Sequence, residues 1–198
     1  MRIRKAIACT FLRLSRWSFS HEPLPDQVIV IGAPHTSNWD GVFMAVAFWS
    51  LGRPFCFLVK DSLVKAPVLG PFIRWVGGIG VDRSRGNGIV EAVARMADQA
   101  RARGETFTIA ITPKGTRSPR PYWKSGFYRI AREADIPIQL GFVDRNSMSF
   151  GWGPTVHLTG DTKADMDVIR RFYAPMAGVR ADKTSVPRLR MEDDESQA

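Results

Sequence analysis

Short, mostly apolar runs alternate with helical patterns along this chain, and this alternation constrains the fold more than any other feature. The clearest run, residues 28–31, reads Val-Ile-Val-Ile and predicts a strand that is buried on both faces. Similar runs occur at residues 55–59, 107–112 and 136–143, with helical spacing between them. Strands that alternate with helices predict a single α/β domain, in which helices flank a mostly parallel central sheet.

Length and composition limit how this domain is organised. The chain has 198 residues, of which 44% are hydrophobic, and this suffices for one domain with a core. We expect the domain to occupy residues 23–178. The apolar pattern fades after that point, and the acidic end of the chain predicts a disordered tail over residues 179–198. Only two cysteines, Cys9 and Cys56, are present, which excludes a disulfide framework and points to a reducing compartment.

The N-terminal segment concentrates positive charge. Its first twenty residues contain five Lys and Arg and no acidic residue, within a net charge of +9. Apolar residues recur there at spacings of three and four, which predicts an amphipathic helix within residues 1–22; they are Ile3, Ile7, Phe11, Leu14 and Trp17. A basic amphipathic helix with aromatic residues suits the surface of an anionic membrane. The alternative is a helix that docks on the core of its own domain and leaves its arginines solvated.

A polar loop with a candidate acid–base pair follows the first predicted core strand. Open α/β sheets place ligands at the carboxyl ends of their strands, where this loop is expected to lie. It contains His35 and Asp40. A carboxylate on one imidazole nitrogen would fix the tautomer and leave the other nitrogen to take a proton from a hydroxyl. Alternatively, His35 is an ordinary loop residue and Asp40 a carboxylate that stabilises a helix start.

Two further loops carry residues suited to binding an anion. The second loop, residues 77–86, is rich in glycine, contains Arg83 and precedes a predicted helix, so it suits a phosphate group. The third, residues 112–118, offers the cations Lys114 and Arg117 and the hydroxyls of Thr116 and Ser118. Each of these two loops, taken alone, equally fits a solvated turn.

Taken together and in this order, the loops resemble the glycerolipid (lysophospholipid) acyltransferase family of the 1-acylglycerol-3-phosphate acyltransferase type. Residues 35–40 match its first block, the HX4D motif of His-x4-Asp. Residues 80–83, Gly-Val-Asp-Arg, are similar to its second block, and residues 114–118, Lys-Gly-Thr-Arg-Ser, to its third, Glu-Gly-Thr-Arg-Ser. Residues 136–138, Ile-Pro-Ile, resemble its fourth. The resemblance extends from about residue 30 to residue 144.

The resemblance implies a membrane-associated transferase of lipid metabolism that works in phospholipid biosynthesis. His35 would act as general base and Asp40 would orient it, while an acyl group passes from acyl-CoA or acyl carrier protein to a hydroxyl of a lysophospholipid such as 1-acylglycerol-3-phosphate. The expected substrate-binding residues are Arg83, Lys114, Gly115, Thr116, Arg117 and Ser118. No cofactor or metal is expected beyond the acyl donor. We expect the protein to lie peripherally on the cytoplasmic face of an anionic membrane.

The third block departs from the family pattern at one position. Lys114 stands where the family usually has Glu, which inverts a charge inside the expected site. We interpret Lys114 as an additional anion-binding group, or as the mark of a branch with its own acceptor, such as a lyso-amino-lipid or a glycolipid. In another class, the positive charge would suit a non-catalytic membrane- or nucleic-acid-binding protein. Nucleic acid is not expected as a partner, because no recognisable nucleic-acid-binding module or basic face with stacking aromatics is found.

Overall fold

The computed structural model describes residues 2–81 and 86–195. Its helices are α1 (Arg2–Leu14), α2 (Trp39–Leu51), α3 (Asp61–Val64), α4 (Leu69–Val76), α5 (Gly86–Ala102), α6 (Gly126–Glu133), α7 (Thr162–Tyr173) and α8 (Met191–Glu195). Its strands are β1 (Ser18–His21), β2 (Gln27–Ala33), β3 (Cys56–Lys60), β4 (Gly78–Val81), β5 (Phe107–Ile111), β6 (Ile138–Asp144) and β7 (Ser149–Val156).

The strands form one sheet that is parallel over most of its width. Their order is β1-β7-β6-β2-β5-β3-β4, and the five strands from β6 to β4 run in the same direction. β7 is antiparallel to β6, and β1 pairs with β7 in parallel, so these two strands run the opposite way at one edge. The predicted fold, a single α/β domain with a mostly parallel sheet flanked by helices, is confirmed.

The central strand β2 explains why the sheet is covered on both faces. Its four successive β-branched residues, Val28 to Ile31, are all at most 4% exposed. Because neighbouring side chains on a strand point to opposite faces, Ile29 and Ile31 pack in one apolar cluster with α5, α6 and α7. Val28 and Val30 pack in the other cluster, with α1, α2 and β7. The result is a three-layer arrangement with β2 at its centre.

The N-terminal segment differs from the prediction in its extent. α1 ends at Leu14, and residues 18–21 form the edge strand β1 instead of continuing a helix to residue 22. The helix docks through Ala8, which is fully buried, and through Phe11, whose ring centroid lies 6.0 Å from that of Phe43. The apolar residues Ile3, Ile7 and Leu14 face outward, with exposed fractions of 73%, 45% and 82%. Docking on the core and an exposed apolar face therefore occur on the same helix.

The prediction of a disordered tail from residue 179 is wrong for the part that the structure describes. Residues 177–187, which we call the strap, run along the carboxyl edge of the sheet. They are followed by Leu189, which is fully buried and pairs with Trp123. The sequence signal was absent because the strap is held by polar backbone contacts, which leave no apolar periodicity. Among the described residues, no helix combines the length and the apolar character that crossing a bilayer requires.

Candidate active site

The polar loops meet at one edge of the sheet. β2, β5, β3 and β4 are parallel neighbours, so the segments that follow them leave the sheet on the same side. β2 leads through a cis Ala33-Pro34 peptide bond to His35. β5 leads to the third loop, and the pairing of Ile31 with Ile111 places the starts of these two loops side by side. This edge is where ligands bind in open α/β sheets.

His35 and Asp40 form a hydrogen-bonded pair in the loop that follows β2. The Nδ1 atom of His35 lies 3.0 Å from Oδ2 of Asp40. The pair is largely shielded, with side-chain exposures of 17% for His35 and 9% for Asp40. Among the described residues, nothing is hydrogen-bonded to Nε2 of His35. A neutral imidazole with its proton on Nδ1 would therefore present Nε2 as a free proton acceptor.

The carboxylate of Asp40 is fixed by its own loop. Its Oδ2 atom accepts the backbone N–H of Thr36 at 2.7 Å and that of Ser37 at 2.9 Å, in addition to the His35 contact. Asp40 also lies in the first turn of α2, where the helix dipole favours a negative charge. Its Oδ1 atom is buried and has no hydrogen-bond partner among the described residues. Oδ2 thus has its hydrogen-bond partners within the loop, whereas the negative charge at Oδ1 is left to be compensated by nearby positive charge.

The third loop presents a cation and hydroxyls to solvent. Gly115 has a φ of 66°, a conformation that glycine adopts without strain, and its N–H donates to the Thr112 carbonyl at 2.9 Å to close the turn. Beyond this turn, Arg117 and Ser118 are exposed and Thr116 is half-buried. Oγ1 of Thr116 accepts the N–H of Ser118 at 3.3 Å. This arrangement leaves the Arg117 guanidinium available to an anion.

Lys114, which the resemblance predicts as a substrate-binding residue, does not share this exposure. The residue is only 4% exposed, and its Nζ atom donates to the Lys183 carbonyl at 2.7 Å. Burial lowers the pKa of Lys114, whereas attraction to Asp40 raises it and the Lys183 charge lowers it. Its ammonium group therefore points into the protein, toward the strap and Asp40.

Two further cations, Arg83 of the expected site and Lys60, occur in the sequence at or just after the ends of β4 and β3. Arg83 follows β4 and lies outside the described residues. Lys60 ends β3 at the same edge of the sheet and is exposed. The topology places Lys60 beside the loops that follow β5 and β4, because β3 lies between these two strands.

The strap is the part of the site that sequence reasoning missed. The backbone N–H of Arg180 donates to Oγ1 of Thr36 at 3.1 Å, within the His35–Asp40 loop. A side chain on Gly178 would place its Cβ 2.5 Å from the same oxygen, so only glycine allows this close approach. The strap carries no apolar periodicity that could have revealed it.

Neither cysteine belongs to the polar loops at this edge, since Cys56 begins β3 and Cys9 lies on α1. Burial raises the pKa of the Cys56 thiol to about 12, which leaves it unreactive near neutral pH. Cys9 lies on α1 and is exposed. Within residues 2–81 and 86–195, no three His, Cys, Asp or Glu side chains are grouped so that they could hold a metal ion.

Comparison with known proteins identifies relatives of this chain. A family described as acyltransferase matches residues 18–139. The 1-acyl-sn-glycerol-3-phosphate acyltransferase of Pseudomonas aeruginosa is 28% identical over 120 residues, which make up 59% of this chain and 44% of that protein. The match thus spans less than half the length of that relative.

One solved structure shares the fold. It is the 1-acyl-sn-glycerophosphate (LPA) acyltransferase PlsC from Thermotoga maritima, with a TM-score of 0.56 and 15% sequence identity. The similarity covers 88% of this chain and 78% of that one. The strap lies beyond the residues that the family match covers.

Proposed function

Because the chain belongs to the acyltransferase family, we propose that it transfers a fatty acyl group from an acyl thioester to a hydroxyl of a lysophospholipid such as 1-acylglycerol-3-phosphate. The observation that carries this proposal is the shielded His35–Asp40 pair, which leaves Nε2 of His35 without a partner among the described residues. The curated relative bears the name of this activity, which supports the choice of acceptor. The acyl donor is acyl-CoA or acyl carrier protein.

In the proposed reaction, His35 activates the acceptor. Its Nε2 atom takes the proton of the acceptor hydroxyl as the hydroxyl oxygen attacks the thioester carbonyl carbon. Asp40 holds the imidazole through Nδ1 and stabilises the positive charge that the ring acquires. The new carbon–oxygen bond produces a tetrahedral intermediate with a negatively charged oxygen.

The intermediate then expels the thiol. The carbon–sulfur bond breaks, and the leaving sulfur takes the proton held on Nε2 of His35, which restores the neutral imidazole. The products are the acylated acceptor and the free thiol of CoA or the carrier protein. No acyl-enzyme is formed, which agrees with the raised pKa of the buried Cys56 thiol.

The third loop is the proposed acceptor site. The exposed Arg117 guanidinium can grip two oxygens of a phosphate at once, and the Thr116 and Ser118 hydroxyls can donate further hydrogen bonds. Gly115 shapes this loop, since a Cβ there would lie 3.0 Å from Cε of Lys124. Arg83 is proposed to bind the same phosphate from the second loop.

We also propose that the protein lies peripherally on the cytoplasmic face of an anionic membrane. Support comes from exposed apolar side chains on neighbouring helices, with Ile3 and Ile7 on α1 and Phe72 and Trp75 on α4. The two helices meet where the Arg4 guanidinium lies 5.0 Å from the ring centroid of Trp75. Apolar residues that enter the interface and basic residues that attract anionic lipid together favour this placement.

A thiol-release assay tests the proposed activity. The purified full chain is given one acyl-CoA and a panel of acceptors comprising lysophosphatidic acid, a lyso-amino-lipid, a glycolipid and monoacylglycerol. We expect the fastest thiol release with lysophosphatidic acid and none above background for His35→Ala. Another preferred acceptor would overturn the acceptor assignment. No release with any acceptor, or full activity of His35→Ala, would overturn the acyl-transfer mechanism.

A further inference from the structure

The strap is fastened first at the end of β6. Oδ1 of Asp144 accepts the N–H of Ala177 at 3.0 Å, and the N–H of Arg145 donates to the Ala177 carbonyl at 2.7 Å. The Arg145 side chain also donates through Nη1 to the Val179 carbonyl at 3.2 Å. These bonds fix the point at which the strap enters the carboxyl edge of the sheet.

The strap is fastened again at the ends of β2 and β5. Beside β2, the Arg180 N–H bonds to Oγ1 of Thr36, next to His35 in the chain. Beside β5, the Lys114 ammonium bonds to the Lys183 carbonyl. The strap is thus held at the end of β6, at Thr36 and at Lys114. It passes over the His35–Asp40 loop on its way from β6 to Lys114.

Lys114 also supplies a positive charge that attracts the buried carboxylate of Asp40. A buried carboxylate oxygen without a hydrogen bond is costly unless an opposite charge compensates it, and Oδ1 of Asp40 is such an atom. The charged groups that face Lys114 are Asp40 on α2, which attracts it, and Lys183 on the strap, which repels it. A carboxylate at position 114 would instead repel Asp40 and could not donate to the Lys183 carbonyl.

We propose that Lys114 is a positioning residue, which fastens the strap across the site and supplies the positive charge that holds Asp40 in its catalytic arrangement. This role rests on the proposed function of the His35–Asp40 pair. It also gives a physical reason for a lysine at position 114, since its ammonium binds a backbone carbonyl of the strap. Lys114 acts through Asp40 and the strap and does not itself contact the acceptor.

Steady-state kinetics provide the first test. Lys114→Met removes both the charge and the donor, and we expect kcat to fall by roughly 10- to 100-fold, because small displacements at a catalytic centre have effects of that size. The KM for the acceptor should stay within about twofold, since Lys114 is buried and its ammonium is held by the strap. Lys114→Arg, which keeps charge and donor, should recover most of kcat. The matched control is Lys163→Met, which removes an exposed lysine paired with Asp167 on α7 and should leave both constants unchanged.

Two measurements that need no turnover complete the test. Hydrogen exchange of the Arg180 amide should accelerate in Lys114→Met by at least about tenfold, because the strap loses a fastening point. The imidazole N–H signal of His35 in nuclear magnetic resonance spectra should shift or broaden in the same variant. Both should return toward wild type in Lys114→Arg. Lys114→Gln, which is neutral but polar, is expected to change the Arg180 exchange rate and the His35 signal in the same direction as Lys114→Met. It replaces Lys114→Met if that variant does not fold.

The outcomes separate this proposal from the proposed function. Wild-type exchange at Arg180 together with an unchanged His35 signal in the neutral variants would overturn the positioning role, whatever the kinetics. A rise in acceptor KM with kcat unchanged would also overturn it, in favour of direct substrate contact. If the wild-type chain releases no thiol with any acceptor, the proposed function fails, and the exchange and resonance data alone decide whether Lys114 fastens the strap.

Discussion

The backbone N–H of Arg180 donates a hydrogen bond to Oγ1 of Thr36 at 3.1 Å, although the two residues are 144 positions apart in sequence. This bond joins the strap to the loop that carries His35 and Asp40. The closeness of the two segments depends on Gly178, whose hydrogen atom faces the Thr36 side chain. The strap and the His35–Asp40 loop should therefore respond together to changes at either one.

Gly178→Ala tests this dependence. Its new Cβ would lie 2.5 Å from Oγ1 and 2.6 Å from Cγ2 of Thr36, so the strap must shift. We expect the free energy of unfolding to fall by about 1–3 kcal/mol, the usual cost of overpacking, and kcat to fall with it. Urea denaturation and thiol release measure the two effects. Gly126→Ala is the control, because a Cβ there meets nothing within 4 Å. If Gly178→Ala and Gly126→Ala had the same stability and the same kcat, the strap would not lie in close contact with Thr36.

Asp40→Asn tests the orientation of His35. The amide can still accept the Thr36 and Ser37 N–H groups, but it no longer stabilises a charged imidazole or compensates Lys114. We expect kcat to fall by roughly 10²- to 10⁴-fold, the usual range for loss of positioned acid–base catalysis. Circular dichroism should show that the variant folds. Asp98→Asn, on the exposed face of α5, serves as control because its partner Arg101 is also exposed. A kcat equal to wild type in Asp40→Asn would rule out the pair as catalytic machinery.

Arg117→Gln tests the acceptor site. Loss of a charge-assisted contact to phosphate should raise the acceptor KM by roughly 10- to 100-fold while kcat changes little. Monoacylglycerol, which lacks the phosphate, should be used equally well or poorly by variant and wild type. Arg103→Gln is the control, because Arg103 precedes β5 and so lies toward the opposite edge of the sheet, paired with Glu105. An unchanged KM for lysophosphatidic acid would remove Arg117 from the site.

The outward face of α1 predicts membrane binding. A triple variant, Ile3→Ser/Ile7→Ser/Leu14→Ser, removes exposed apolar side chains without touching the buried Ala8. We expect its partition onto phosphatidylglycerol-containing vesicles to fall by at least about tenfold, because each buried methylene contributes about 0.8 kcal/mol. Binding of the wild type should weaken with salt. Val168→Ser, on α7 across the sheet and 41% exposed, is the control. Equal sedimentation of triple variant and wild type would show that this face does not bind lipid.

Asp144 gives the strap a predictable response to acid. Burial alone would raise its pKa, but hydrogen bonds from the Ser147 hydroxyl and from the N–H groups of Ala177, Ser147 and Asn146 outweigh this and lower it. A lowered pKa means that the carboxylate stabilises the fold above the unfolded value and that this contribution is lost as pH falls through the folded value. The strap should therefore loosen at low pH.

Asp144→Asn measures this contribution. At pH 7 we expect the variant to be less stable than wild type by about 1.5–3 kcal/mol, the range for hydrogen bonds to a charged group. The difference should shrink from about pH 5 downward as the wild-type carboxyl gains its proton. Urea denaturation at a series of pH values provides the test, with Asp161→Asn, an exposed helix cap, as control. A difference that does not change with pH would show that Asp144 is not charged in the folded protein.

Much of the fold could be predicted because β2 has only one reasonable interpretation. Four consecutive β-branched residues favour a strand buried on both faces, and the strand observed at Gln27–Ala33 contains all of them. β1, which reads Ser-Phe-Ser-His, and the start of β7, which contains two glycines, carry no such signal. β1 forms a strand by pairing with β7, and β7 does so by pairing with both β1 and β6. Strands of this kind depend on tertiary contacts, which the sequence alone does not reveal.

The candidate site also has one part that could be predicted from the sequence and one that could not. The pairing of His35 with Asp40 is implied by the resemblance to the family's His-x4-Asp block, whereas their spacing alone equally allows an ordinary loop histidine and a helix-start carboxylate. The inward direction of Lys114 could not be predicted, because it depends on the Lys183 carbonyl, 69 positions away. A basic residue among glycine and hydroxyl residues suggests solvent exposure. Lys114 is buried instead because the strap passes beside it and accepts its hydrogen bond.

The contacts around Oδ2 of Asp40 also bear on how the chain reaches its active form. All three donors, from His35, Thr36 and Ser37, lie within five positions of the carboxylate. Closing so short a segment costs little chain entropy, so this part of the catalytic geometry can form early, before distant segments assemble. The strap reaches the His35–Asp40 loop through a bond between residues 144 positions apart, and we therefore expect this contact to form late. The docking of the strap onto the His35–Asp40 loop would then be the last step of folding. Activity should therefore recover more slowly during refolding than secondary structure does.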